Sequence, residues 1–331
     1  MVKAVILFIV GLIALIKGGD WFVDGASGIA KRFKISEILI GATVVSIGTT
    51  LPEVMVSATS AVEGHGELAY GNAIGSIICN TALIAALTIA IRPSSVDRKS
   101  FILAAVFFFV SAVFYTFVAV FFGEFSRVVG IMLLVIFVAY MTVLVIQAKR
   151  HPQAEPLSPE AEPATQNGKD KPKERRLYLE IILLIVGAAL IAVGAKLLVD
   201  NGTIIASELG VSEAVIALTV VALGTSLPEL VTAITALVKG HSALSIGNII
   251  GANLFNLVLV CGVAVTLSPF ALPAGKTIGG VNASLIVDIP VMLSVMIIMA
   301  VPPMINGKLK RWQGILLLAI YAAFVTFQFV Y

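Results

Sequence analysis

"ATVVSIGTTLPEVMVSA", Ala42 to Ala58, sets a Pro-Glu pair in the middle of an otherwise apolar run. The same oddity returns as "LTVVALGTSLPELVTAI", Leu218 to Ile234. A helix breaker and a carboxylate are both unusual there, and two such sites at matching places point to one mechanism. Working outward, residues 36–80 align with residues 212–256 at a constant offset of 176 without a gap, and about 21 of 45 positions are identical. This is an internal duplication. Upstream of it, Asp24 meets Asp200 at the same offset.

The 331 residues are 59% hydrophobic and only 12% charged, with a mean hydropathy of +1.05. A soluble globular chain carries about 25% charged residues, so the composition is that of a membrane protein. No nucleic-acid partner is expected; the lipid bilayer is. The opening run "MVKAVILFIVGLIALIKGGDWFV" reads as a first transmembrane helix rather than a cleaved signal. At about 20 apolar residues per span, the chain has about ten spans, at roughly 3–30, 36–62, 67–91, 100–122, 125–147, 177–207, 212–238, 243–268, 281–303 and 311–330. Runs this long are helices, not barrel strands. The expected fold is an all-α polytopic membrane protein. Cys79 and Cys261 fall inside spans as small apolar filler, with no disulfide framework and no Cys/His metal spacing.

Alternating through ten spans gathers Lys31, Arg32, Lys34, Arg92, Arg98, Lys99, Lys149, Arg150, Lys239, Lys308, Lys310, Arg311 and the basic cluster at 169–176 on one side. The other side holds Lys3, Arg127 and Lys276. The positive-inside rule makes the first side the cytoplasm, of a plasma or inner membrane, and puts both termini outside. The polar, Pro-rich stretch 151–176 cannot bury a core and reads as a disordered cytoplasmic tether. The expected organisation is a first membrane repeat at 1–148, a linker at 149–176 and a second repeat at 177–331. Five spans per half make the second repeat inverted, an architecture that places a transporter's substrate site near the midplane, between the repeats.

Pro52 and Pro228 lack an N–H and clash with the carbonyl one turn back, and they push Leu51 and Leu227 out of the α region. Each helix is therefore expected to break there, freeing carbonyls near Val45 to Gly48 and Val221 to Gly224. Bare carbonyls at membrane depth are tolerated only where they line a cavity. Glu53 and Glu229 follow directly, and an acid at mid-membrane costs about 2.5–3.5 kcal/mol. A bound cation offsets that cost; the blander reading is ion pairing with Lys17 and Lys196. Thr49, Thr50, Thr225 and Ser226 add neutral oxygens within a turn. "GNAIGSIICN" (71–80) and "GNIIGANLFN" (247–256) add more. Asn72, Ser76 and Asn80 share one helix face, as do Asn248, Ala252 and Asn256. Gly71, Gly75, Gly247 and Gly251 read as helix-packing positions.

Carboxylates, amides, hydroxyls and carbonyls without Cys or His suit a hard cation. Calcium takes 6–8 oxygens, and two Glu neutralise one divalent ion. The same oxygens suit sodium, and one site with two competing cargoes is the logic of an antiporter, with no cofactor beyond the transported ions. Proton/calcium exchange is the alternative, because burial raises carboxyl pKa values. An enzyme is not expected: the chain has no nucleophile motif and no phosphate loop. Asp20, Asp24 and Asp200 are expected to cap helices or to pair with Lys17 or Lys196. Monomeric operation is the expectation.

The doubled "GTTLPE"/"GTSLPE" with the two "GN" motifs closely resembles the α-repeats of the calcium/cation antiporter superfamily, in its sodium/calcium exchanger branch of bacterial and archaeal type. The resemblance covers essentially the whole chain. It implies a compact core of the second, third, seventh and eighth spans, past which the first and sixth slide. It implies a calcium site of Glu53, Glu229 and the carbonyls of Thr49 and Thr225. Sodium sites are implied at the carbonyls of Ser46 and Ala222 and at Thr49, Thr50, Ser76, Thr225 and Ser226, with Asn80 matching the amide near the centre. Two positions depart from the archaeal-type pattern. Ala252 removes a hydroxyl, and Asn256 stands where some members have Asp. Potassium-dependent members carry an acid in this region, which argues against potassium coupling.

Overall fold

The computed structural model describes residues 2–150, 177–209, 222–273 and 277–330. The 151–176 tether, the 212–221 start of the seventh expected span and Lys276 lie outside the described residues. The helices are α1 (Val2–Phe33), α2 (Glu37–Val62), α3 (Gly66–Ile91), α4 (Arg98–Phe121), α5 (Arg127–Arg150), α6 (Leu177–Glu208), α7 (Leu227–Val238), α8 (Ser242–Leu267), α9 (Ser284–Asn306) and α10 (Arg311–Val330). One further turn, Ala222–Thr225, precedes α7. Among the described residues eight of these are long and apolar enough to cross a membrane. The described part of α7 is 12 residues long. α10 is a further apolar helix of 20 residues. The chain is an all-α, multi-pass membrane fold.

The helix ends follow local chemistry. The Ser36 hydroxyl accepts from Leu39 N at 3.3 Å and starts α2; Asp97 accepts from Ser100 N at 3.1 Å and starts α4, each satisfying an orphan N–H. Gly307, at φ 70°, ends α9 in the left-handed conformation that glycine adopts without strain. Two-residue strands zip the loops together: β1 (Ser94–Ser95) pairs with β4 (Lys308–Leu309), and β2 (Glu124–Phe125) with β3 (Phe270–Ala271), both antiparallel.

α8, α3 and α2 form the interior, with 83%, 72% and 56% of their apolar windows buried, against 28% for α1 and 22% for α6. These two outer helices have 32 residues each, about 48 Å at 1.5 Å per residue. That exceeds a hydrocarbon core of about 30 Å and calls for tilt. They lie antiparallel, backbone on backbone. A Cβ at Gly11 would stand 3.0 Å from Gly194 O, and one at Gly18 would stand 2.9 Å from Gly187 O. At the offset of 176, Gly11 corresponds to Gly187 and Gly18 to Gly194. Exchanging the repeats therefore maps this contact onto itself, as a local two-fold requires.

One expectation fails here. α2 does not break at Pro52; its helical run Ser46–Val62 continues through the proline. A separate distortion sits about two turns earlier, at 3.6 residues per turn, where Gly41–Val45 is π-helical. In the second repeat the break is present. Ser226, at φ −91° and ψ 3°, interrupts the helix, and Pro228 sits in the first turn of α7, where its missing N–H loses nothing.

Candidate cation site

α2 carries Thr49, Thr50 and Glu53; α7 and the turn before it carry Thr225, Ser226 and Glu229. Both carboxylates are completely buried, and they lie close enough to interact with each other across the repeat boundary. Glu229 Oε1 accepts a hydrogen bond from Thr50 Oγ1 at 3.4 Å. Among the described residues neither oxygen of Glu53 has a hydrogen-bond partner, nor has Glu229 Oε2. The same holds for Ser226 Oγ and for both amide atoms of Asn80 and of Asn256, all buried. Buried polar groups are nearly always paired, so stranded oxygens gathered on facing helices mark a place for a ligand that takes oxygen donors.

The two asparagines arrive by a crossed arrangement. Asn80 opens a π-helical segment, Asn80–Ala85, in α3; Asn256 opens one, Asn256–Val260, in α8. The first packs against α7 and the second against α2. Each amide is thus delivered to the Pro-Glu helix of the other repeat, and such π segments recur at functional sites.

Other polar side chains serve as supports. Asn72 Nδ2 donates to Glu53 O at 3.2 Å and to Ser57 Oγ at 2.8 Å, fixing the backbone that carries the carboxylate. Thr49 Oγ1 donates to Asn248 Oδ1 at 3.3 Å and to Ser46 O at 3.4 Å. The Ser46 hydroxyl donates to Gly41 O at 2.8 Å and Asn248 O at 2.9 Å, so its side chain ties α2 to α8. Ser76 is buried and Thr225 half-buried; Ala222 is described by its backbone only.

Glycine makes the α2–α8 approach possible. A Cβ at Gly41 would stand 2.5 Å from Leu244 O, one at Gly247 2.3 Å from Ile38 O, and one at Gly251 2.6 Å from Ala42 Cα. For Gly71 and Gly75 no described atom lies within 4 Å; the repeat equivalents of the segment facing Gly247 and Gly251 lie largely outside the described residues. On the outer side a narrow crevice runs between Phe22 of α1, Ala188 of α6, and Gly48, Thr49, Pro52 and Pro228. The Phe22 ring lies against Gly48, where a Cβ would meet its Cζ at 3.0 Å.

Ion pairing of the site acids with Lys17 or Lys196 is overturned. Lys17 is exposed, and Lys196 pairs with Asp200 at 3.0 Å, one helical turn away. Asp20 and Asp24 do not pair with Lys17 either. They meet Lys239, at 3.5 and 2.7 Å, because α1 lies along α7 and brings Lys239 between them. Sequence reasoning also missed a buried cluster behind the site, where Asn253 Nδ2 donates to Thr81 Oγ1 at 2.7 Å beside Met296 Sδ at 3.2 Å. Thr81 and Asn253 have apolar counterparts in the other repeat, Leu257 and Ile77, and that departure was the available signal. Among the described residues no three His, Cys, Asp or Glu side chains come together. The charge here is two carboxylates, and the remainder is neutral oxygen.

The family model described as sodium/calcium exchanger protein matches residues 3–146 and 179–330. The sodium/calcium exchanger MaX1 of Methanosarcina acetivorans is 30% identical over 350 residues, covering 98% of each chain. The inner membrane protein YrbG of Escherichia coli is 36% identical over 273 residues, 81% of each. Among solved structures, the sodium-calcium exchanger NCX_Mj superimposes with a TM-score of 0.79 at 32% identity, covering 98% of each chain. The chain belongs to the sodium/calcium exchanger protein family and is a multi-pass membrane antiporter of cations.

Proposed function

We propose that this chain exchanges sodium for calcium by alternating access at one shared site between its repeats. The observation that carries the reading is the gathering of two buried carboxylates with stranded neutral oxygens on facing helices. Calcium is taken by Glu53 and Glu229 with the carbonyls of Thr49 and Thr225. Their formal charge of −2 balances one divalent ion. Sodium is taken by the carbonyls of Ser46 and Ala222 and by Thr49, Thr50, Ser76, Thr225 and Ser226, with Asn80 and Asn256 lending amide oxygens. The cargoes draw on the same carboxylates, so each leaves as the other binds. Three sodium ions would leave the site at +1, so exchange for one calcium would move net charge. Support comes from MaX1, a sodium/calcium exchanger, and from NCX_Mj, solved after soaking in sodium with calcium or strontium.

The repeats, 1–148 and 177–331, are inverted, with 149–176 a cytoplasmic tether, both termini outside, and the chain acting as a monomer in the cell membrane. A second reading, proton/calcium exchange, draws on the two adjacent carboxyl groups without a cationic neighbour in the described ion pairs. One experiment separates the two. Sodium-loaded proteoliposomes are diluted into sodium-free buffer with calcium at equal pH, beside a sodium-free arm with a pH gradient. Uptake that requires the sodium gradient and is lost in Glu53→Gln and Glu229→Gln establishes sodium coupling. Uptake with the pH gradient alone replaces it by proton coupling.

A further inference from the structure

Lys239 ends α7, and its ammonium donates to Asp24 Oδ1 at 2.7 Å and to the Asp20 backbone oxygen at 2.9 Å, with Asp20 Oδ1 at 3.5 Å. This clasp joins α1, an outer helix, to the end of α7, the helix that carries Glu229. Around it the helices are in full contact, since a Cβ at Gly19 of α1 would stand 2.7 Å from Val231 and 2.9 Å from Thr235 of α7. The offset of 176 gives the equivalent places at the opposite face. Asp20 becomes Lys196, Asp24 remains an acid as Asp200, and Lys239 becomes Glu63. The Lys239–Asp20 pair has its charges reversed, base on α7 with acid on α1 at one face and acid on α2 with base on α6 at the other, whereas the closer pair, Lys239–Asp24, maps to two acids, Glu63 and Asp200.

At that second face the contact is not made. Lys196 turns to Asp200 within its own helix, and their side chains are 76% and 52% exposed. Met55, the equivalent of Val231, is 65% exposed, whereas Val231 is half-buried against α1. The two repeats thus have equivalent parts in different arrangements. In an inverted-repeat transporter the two access states exchange the roles of the repeats. The contact closed at one face in this state must be closed at the other face in the opposite state.

We infer that Lys239 with Asp20 and Asp24 is a latch that holds the site shut at its own face, and that Glu63 and Lys196 form the counterpart latch in the opposite access state. Lys239 is a positioning residue: it touches no cargo and sets which way the site faces. The inference rests on the alternating-access reading above.

The test uses the full chain in nanodiscs and in proteoliposomes. Glu63→Cys with Lys196→Cys is treated with a short bifunctional thiol reagent; the native Cys79 and Cys261 are buried. Cross-linking is expected to proceed and, when Lys239→Ala is added, to rise about fivefold, the shift that loss of one partly exposed ion pair gives. Restoring the clasp in reverse, Lys239→Asp with Asp24→Lys, is expected to return the rate toward that of the parent and guards against a merely misfolded variant. A rate that ignores Lys239, in protein that still exchanges calcium, overturns the latch and leaves the exchange reading standing. An unsubstituted chain that moves no cation overturns the exchange reading, and the latch with it.

Discussion

Glu53→Gln should move the protein in opposite directions with and without cation. The side chain is completely buried, and neither carboxylate oxygen has a hydrogen-bond partner among the described residues. An ionised group carried that way costs several kcal/mol after relaxation. A glutamine of the same shape strands neutral atoms instead, at about 1–3 kcal/mol. In cation-free buffer at alkaline pH the variant should therefore gain about 2 kcal/mol, seen as a melting rise of roughly 4–8 °C on the scale of soluble domains. With calcium the sign reverses. A divalent ion about 4 Å from a carboxylate gains about 8 kcal/mol at an effective dielectric constant of 20. If desolvation leaves a third of that, affinity falls about 100-fold. The assay is thermal unfolding of detergent-purified protein across a calcium titration, beside calorimetric binding. A variant that melts lower than the parent without cation, or still binds calcium with parental affinity, would refute the argument that Glu53 waits on a cation rather than on the protein.

Gly251→Ala should lower stability by about 2–3 kcal/mol through overpacking, because the new Cβ would meet Ser46 Oγ at 2.3 Å and Ala42 Cα at 2.6 Å; a parental melting curve would contradict the close α2–α8 approach. Gly18→Val should leave equilibrium calcium binding within about twofold, since α1 makes no site ligand, yet slow exchange about tenfold by crowding the α6 backbone, an effect of hinge-type changes on rate; equal losses in binding and rate would argue otherwise. Thr81→Val should cost about 1–3 kcal/mol by stranding the Asn253 amide, and adding Asn253→Leu should recover part of it. Simple additivity in that double-mutant cycle would mean the 2.7 Å bond carries no coupling.

Much of the architecture was written in repetition and hydropathy. The repeated "LPE" placed both carboxylates, and "GN" with its spacing of four placed both asparagines, because lipid leaves few ways to arrange an apolar helix. Pro52 misled for a physical reason. A proline forbids one hydrogen bond, and a helix held on several sides by its neighbours runs on through it, as Ser46–Val62 does. The π segments after Asn80 and Asn256 left no recognisable composition. Helix capping or pairing with Lys17 or Lys196 is what the sequence suggests for Asp20 and Asp24, whereas Lys239 reaches them through the tertiary contact of α1 with α7. The exchange of Glu63 for Lys239 was visible in "VEGH" against "VKGH", but its meaning needed the two faces side by side.

The glycine seam between α1 and α6 bears on ancestry. Gly11 meets Gly194 and Gly18 meets Gly187, so each half presents to the other the same patch that it receives. That is the contact of a symmetric homodimer. A half-length progenitor could have dimerised through it only if its copies entered the membrane in both directions, which requires a near-even spread of basic loops. Fusion would have removed that restraint, leaving each half free to accumulate lysine and arginine on one side while the glycines, bound to one another's backbones, could not drift.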